Sequence, residues 1–132
     1  MIVVDASIFA DSLVDDTSVG DAVRGVISRD QNWAAPTHVR VEVASVIRKS
    51  VLAGKVSSVR GQKAIFALMG MTIKEVDSTP LLPRIWELKD NLTIYDAVYV
   101  AIAELLGCSL ITSDARLSRA PGLRCPIHLC QG

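Results

Sequence analysis

The chain has 132 residues, half of them hydrophobic, and its 14 basic and 14 acidic side chains balance to zero. That suits one globular domain with a sizeable core. No apolar run reaches the roughly 18 residues of a membrane span, and the opening "MIVVDASIF" lacks a basic start and meets an acid at Asp5, so it is not expected to act as a signal peptide.

"MIVVD" reads as a buried strand ending at Asp5. "SIFADSLV" begins a helix, and a second helical stretch runs from about Thr17 to Arg29. "NWAAP" is a short strand stopped by Pro36. Thr37 is the expected N-cap of "HVRVEVASVIRKSVLA", whose apolar stripe is Val39, Val43, Val46 and Ile47 and whose stop is Gly54. Ser57 or Ser58 starts a helix reaching about Met69. "MTIKEV" is a strand, and Thr79 followed by Pro80 opens a short helix. Thr93 starts a long helix that Gly107 ends. "SLIT" is a strand, "DARLSRA" a short helix and "IHL" a last strand. This alternation predicts a single α/β domain, residues 1–132, with a mostly parallel central sheet and helices on both faces. The 93–106 helix is apolar almost all round, which places it deep in the packing.

Charge is uneven along the chain. Residues 1–30 hold six aspartates against Arg24 and Arg29. Residues 40–63 hold Arg40, Arg48, Lys49, Lys55, Arg60 and Lys63 against Glu42 alone. A basic surface suits a polyanion such as RNA, whereas two solvated helix faces are the plainer reading. Cys108, Cys125 and Cys130 form an odd set without a secretion signal, so reduced thiols and a cytoplasmic setting are expected. "CPIHLC" lacks a second ligand pair for a metal and reads as structural alternation.

Four carboxylates stand out by placement. Ligand sites of parallel α/β sheets collect at the C-terminal strand edge. Asp5 and Asp114 each follow an apolar strand. Asp96 lies in the first turn of its helix, and Glu42 lies early in the helix after "NWAAP". Each also fits a local role. Asp5 and Asp114 suit N-caps, Thr93 and Asp96 form a capping-box pattern, and Glu42 suits a solvated helix face. Held together, unpaired acids would repel and raise their own pKa values unless a cation neutralised them, and an all-oxygen set favours Mg²⁺ or Mn²⁺.

"MIVVDAS", "VEVASVIRK", "TIYDAVYVAIAELLG" and "LITSDARL", in that order, resemble a PIN domain, and within it the VapC-type toxins of toxin–antitoxin pairs. The resemblance covers nearly the whole chain. It implies a metal-dependent endoribonuclease whose acids are Asp5, Glu42, Asp96 and Asp114. It also implies a polar pair at Thr112 and Ser113, a hydroxyl at Ser7, a small VapB-type antitoxin and a homodimer. On that reading one or two Mg²⁺ ions, replaceable by Mn²⁺, activate water for attack on an RNA phosphodiester, and the downstream fragment keeps a 5′ phosphate. Asp5 and Asp96 are the expected direct ligands. Glu42 would bind the ion through water or orient the nucleophile, and Asp114 would bind or only cap its helix. Ser7, Thr112 and Ser113 would steady the carboxylates. Arg116, with Arg40, Arg48 and Lys49 of the basic run, would meet the RNA backbone.

Other chemistries fit less well. An aspartyl phosphatase would need a second Asp two residues after the first, a receiver domain an acid pair, and nucleotide folds a glycine motif. His38 and His128 fall outside any triad-like pattern. The remaining alternative is a PIN-like module that binds RNA or protein without cutting.

Overall fold

The computed structural model describes residues 1–131. Its strands are β1 (Ile2–Val4), β2 (Trp33–Pro36), β3 (Ile73–Val76), β4 (Leu110–Thr112) and β5 (Ile127–Leu129). Its helices are α1 (Ala6–Val14), α2 (Ser18–Ser28), α3 (Val39–Leu52), α4 (Ser58–Met69), α5 (Leu82–Glu87), α6 (Ile94–Leu106) and α7 (Ala115–Arg119). A 3₁₀ turn at Thr79–Leu81 leads into α5. Among the described residues no helix is long and apolar enough to cross a membrane.

The five strands lie in the order β3-β2-β1-β4-β5, and every pairing is parallel. From β1 the chain winds outward to β2 and β3, then returns past β1 to β4 and β5. Right-handed crossovers therefore place α1 to α4 on one face and α5 to α7 on the other. The packing agrees: α1 contacts α2, α3 and α4, while α6 lies against α5 and strands β1, β2 and β4. The winding reverses at β1 and β4. The crevice beyond their C-terminal ends is where such sheets bind ligands.

α6 is the core's main support. Ala97 through Ala103 are all buried, with Val100 and Ile102 fully so. Each such large side chain contributes about 2 kcal/mol of burial. Thr93 caps its start by accepting from the Asp96 amide at 3.1 Å, and Gly107 closes it in a left-handed conformation, φ 64°, that only glycine adopts without cost. On the other side of β1, Phe9 meets Trp33 edge to face with ring centroids 5.7 Å apart.

One boundary differs from expectation. The residue capping α3 is His38, and it makes no side-chain cap hydrogen bond. Thr37 instead gives its amide to Val76 O at 3.3 Å, extending the β2–β3 pairing one residue past Pro36. That bond ties the turn residue Thr37 to the sheet, and the helix begins at Val39.

Candidate active site

Asp5 leaves β1 and caps α1, its Oδ1 accepting from the Ile8 amide at 3.0 Å. The same position half-buries it at the point where the sheet reverses. Burial pushes its carboxyl up to about 6, and the charges of Asp96 and Asp11 add to the rise. The Thr112 hydroxyl and the Ile8 amide oppose it. Thr112, at the end of β4, is completely buried. Its hydroxyl also accepts from the Asp114 amide at 3.1 Å. One threonine thus links the acids that follow β1 and β4.

Asp5, Ser7, Glu42, Ser45, Lys49, Asp96 and Tyr99 line a cleft of about 210 Å³. Glu42 stands in the first turn of α3, with Ser45 and Lys49 three and seven residues on along the same face. Tyr99 reaches from α6 and donates from Oη to Glu42 Oε1 at 3.0 Å. The capping-box reading of Thr93 and Asp96 is half fulfilled: the threonine oxygen takes the Asp96 amide, while the Asp96 carboxylate faces the cleft.

Asp96 is shared with a second hollow of about 410 Å³, which Asp114, Arg116, Lys89, Asn91 and Thr93 also line. Here the fourth acid sits. Asp114 caps α7, with Oδ1 accepting from the Arg116 amide at 2.9 Å. The Arg116 guanidinium then clasps both of its oxygens, Nε to Oδ1 at 3.2 Å and Nη2 to Oδ2 at 3.0 Å. Arg116 holds the Asp114 carboxyl below the usual carboxylate range.

The acids therefore collect at one strand edge without forming a closed cage. Among the described residues, no three His, Cys, Asp or Glu side chains stand close enough to hold a metal ion as placed. The reason is visible in their partners, since Arg116 takes up Asp114 and Tyr99 takes up one oxygen of Glu42. The chemistry of the rest fits a hard divalent cation. The charge of Asp96 adds to the rise at Asp5, and every donor that lines the Asp5 cleft beside them is oxygen apart from Lys49.

The basic run does not make one face. Arg40 turns into the protein, with Nε on Leu68 O at 3.2 Å and Nη2 on Met71 O at 2.5 Å, so its guanidinium is engaged with backbone carbonyls. Arg48 lines an apolar groove between α3 and α4 with Ile47, Val51 and Ile65, away from the acids. Arg60 pairs with Asp16 at 2.7 Å, joining the basic stretch to the acidic one. Lys49 alone of the run lines the cleft. Sequence reasoning missed Tyr99, Ser45, Lys89 and Asn91. Tyr99, three residues after Asp96, could have been found from helical spacing. Of the three hydroxyls expected beside the acids, Ser7 lines the cleft and Thr112 touches two acids. Ser113 makes no side-chain hydrogen bond to an acid among the described residues.

Residues 2–123 match the family model of the PIN domain. The chain is 35% identical over 128 residues to Ribonuclease VapC1 of Mycobacterium tuberculosis, covering 96% of each chain. Its fold is similar to that of Mycobacterium tuberculosis VapC20, described as a sarcin-ricin loop cleaving toxin, with TM-score 0.70 at 14% identity over 90% of this chain and 94% of that one. It is also similar to Rickettsia felis VapBC2, solved bound to a DNA fragment from the promoter of the pair, with TM-score 0.65 at 15% identity over 96% and 98%.

Proposed function

The chain belongs to the PIN domain family, among its VapC ribonucleases, and on that premise we propose that the acidic cleft hydrolyses RNA phosphodiester bonds as the toxin of a toxin–antitoxin pair. The observation that carries the reading is Asp5: a half-buried carboxylate, raised to about 6, whose charged neighbours Asp96 and Asp11 are also acids. A fold keeps such a group most readily when a cation relieves it.

Asp5 and Asp96 would hold Mg²⁺, or Mn²⁺ in its place, with Glu42 contributing the oxygen that Tyr99 leaves free. A divalent ion bound there supplies Lewis acidity and lowers the pKa of water. The protein's own part is to position. Thr112 and the Ile8 amide fix Asp5, and the buried body of α6 keeps Asp96 in place. Lys49 at one end of the acids and Lys89 and Arg116 at the other would hold backbone phosphates on either side of the scissile bond. The setting is the cytoplasm, the active species a homodimer, and the restraining partner a VapB-type antitoxin.

The test is cleavage of structured RNA by purified protein. Cutting is expected in Mg²⁺ or Mn²⁺ and should cease in EDTA. Undiminished cutting in EDTA would overturn the reading. Expressed alone, the protein should arrest growth, and co-expression of a small neighbouring antitoxin should relieve the arrest. A folded protein that binds RNA but cuts none under any divalent ion would favour the non-catalytic alternative.

A further inference from the structure

Glu42 is tied from across the cleft. Tyr99 Oη donates to its Oε1 at 3.0 Å, and the tyrosine is only 4% exposed. The His38 ring, one turn back on the same helix, brings Nε2 to 2.9 Å from that oxygen, buried and without an aligned hydrogen bond. An aromatic hydroxyl and an imidazole thus enclose Oε1, and Oε2 is the oxygen left for the cleft. Tyr99 stands three residues after Asp96, so both project from one face of α6.

We propose that Tyr99 is a positioning residue: it ties the helix carrying Asp96 to the helix carrying Glu42 and leaves Glu42 a single oxygen for the cation. The proposal rests on the reading of the cleft as a divalent-ion site. It has a consequence for ion choice. Ca²⁺ accepts bidentate carboxylates and loose geometry, whereas Mg²⁺ and Mn²⁺ suit one oxygen per acid. A Glu42 restricted to one oxygen favours the smaller ions.

The test is Tyr99→Phe, which removes one oxygen atom and keeps the ring. Calorimetric titration without RNA should show Mn²⁺ affinity falling about tenfold, the usual effect of losing a group that orients a ligand. Ca²⁺ affinity should hold or rise. In RNA cleavage kcat should fall by a similar factor with KM unchanged. p-Aminophenylalanine at position 99, which keeps a donor in place, should restore both. In a Glu42→Ala background, Tyr99→Phe should cost no further Mn²⁺ affinity, because the tyrosine acts through the carboxylate. Unchanged Mn²⁺ affinity in the single variant, or losses that add in the double, would overturn the proposal. So would a Tyr99→Phe chain that fails to fold, because the hydroxyl would then hold the fold and not the carboxylate. A metal-free crystal structure of Tyr99→Phe separates this proposal from the metal reading. A displaced Glu42 supports the tie even if the wild type takes up no Mn²⁺, while an unmoved Glu42 overturns it.

Discussion

Asp5 and Asp114 begin from the same local device. Each follows a strand of the sheet's central pair, each caps the next helix through Oδ1, and each is connected to Thr112. Their electrostatic states are opposite. Asp5 is half-buried among acids and its carboxyl rises to about 6. Asp114 is clasped by Arg116 and falls below its ordinary range. A helix cap thus says nothing about whether its carboxylate is available. Burial and the residue two positions along decide that. The two halves of the cleft follow the same division, with uncompensated acid on the Asp5 side and acid already paired with base on the Asp114 side.

The sharpest test of that division is activity. Asp5→Asn should lower RNA cleavage by about a thousandfold, the scale of losing several kcal/mol of cation-assisted stabilisation. Asp96→Asn should do the same. Asp114→Asn should cost no more than about tenfold, within the range of groups that support a ligand without binding the ion. Gel assays of end-labelled RNA would show it. Equal losses at Asp5 and Asp114 would erase the distinction.

Stability should invert it. A carboxyl whose folded pKa exceeds its unfolded value favours the fold only in its protonated form. That contribution is complete below the unfolded value of 3.8 and is lost as pH rises through about 6. The shift corresponds to roughly 3 kcal/mol. Metal-free Asp5→Asn should therefore be more stable than wild type at pH 8 by up to about that amount, and the difference should close by pH 4. Asp114 has the opposite sign. Its depressed pKa stabilises above the unfolded value and the effect is lost as pH falls, so Asp114→Asn should bring no gain at pH 8. Urea unfolding in EDTA at both pH values measures this. An Asp5→Asn protein less stable than wild type at pH 8 would contradict the assignment of Asp5 as the strained acid.

Metal uptake gives a somewhat smaller effect. A ligand of the native state alone stabilises it by roughly 2.7 kcal/mol at a hundredfold excess over Kd. Mn²⁺ should raise the melting temperature of wild type and Asp114→Asn, and should do so much less for Asp5→Asn. The wild-type response should also weaken below pH 6, where protons occupy Asp5. An equal response in all three proteins would place the ion elsewhere.

What the sequence revealed follows the range of the physics involved. Strand ends and caps are local, so Asp5, Asp96 and Asp114 could be placed at one sheet edge from apolar runs and their punctuation alone. The parallel α/β class was legible in the alternation of elements, but the order in which the strands pair was not, because it depends on contacts between distant residues. The basic run misled because linear proximity is not spatial proximity. Arg48 and Lys49 are neighbours in sequence, yet a helix turns about 100° between them, which sends one to the α3–α4 groove and the other to the acids. Arg40 found two carbonyls at the end of α4, a partnership set by tertiary packing. Tyr99 was hidden for a different reason. Inside an apolar helix a tyrosine reads as core, and it is core, but its hydroxyl reaches the one acid on α3.

The gentlest way to probe the comparison is to remove the pairing that makes Asp114 different. Arg116 is 80% exposed, and its bonds to Asp114 form a surface ion pair, a class with small effects on stability. Arg116→Ala should leave the melting temperature of the metal-free protein within about a degree or two of wild type, in line with the slight effect of exposed pairs. Its effect on the site should be larger than its effect on the fold. With the guanidinium gone, Asp114 loses the side-chain bonds that most depress its pKa, keeps the amide of residue 116 on Oδ1, and has Oδ2 free to join Asp96 in the shared hollow. Mn²⁺ affinity should then rise by about threefold, an amount fitting the removal of one exposed competing charge. RNA affinity should fall most at low salt, and the deficit against wild type should shrink as salt increases, because one phosphate contact is lost. A drop in Mn²⁺ affinity would mean that Arg116 holds Asp114 in the orientation the ion needs. The two acids would then differ in timing and not in kind, with Asp5 ready for the cation and Asp114 kept aligned until it arrives.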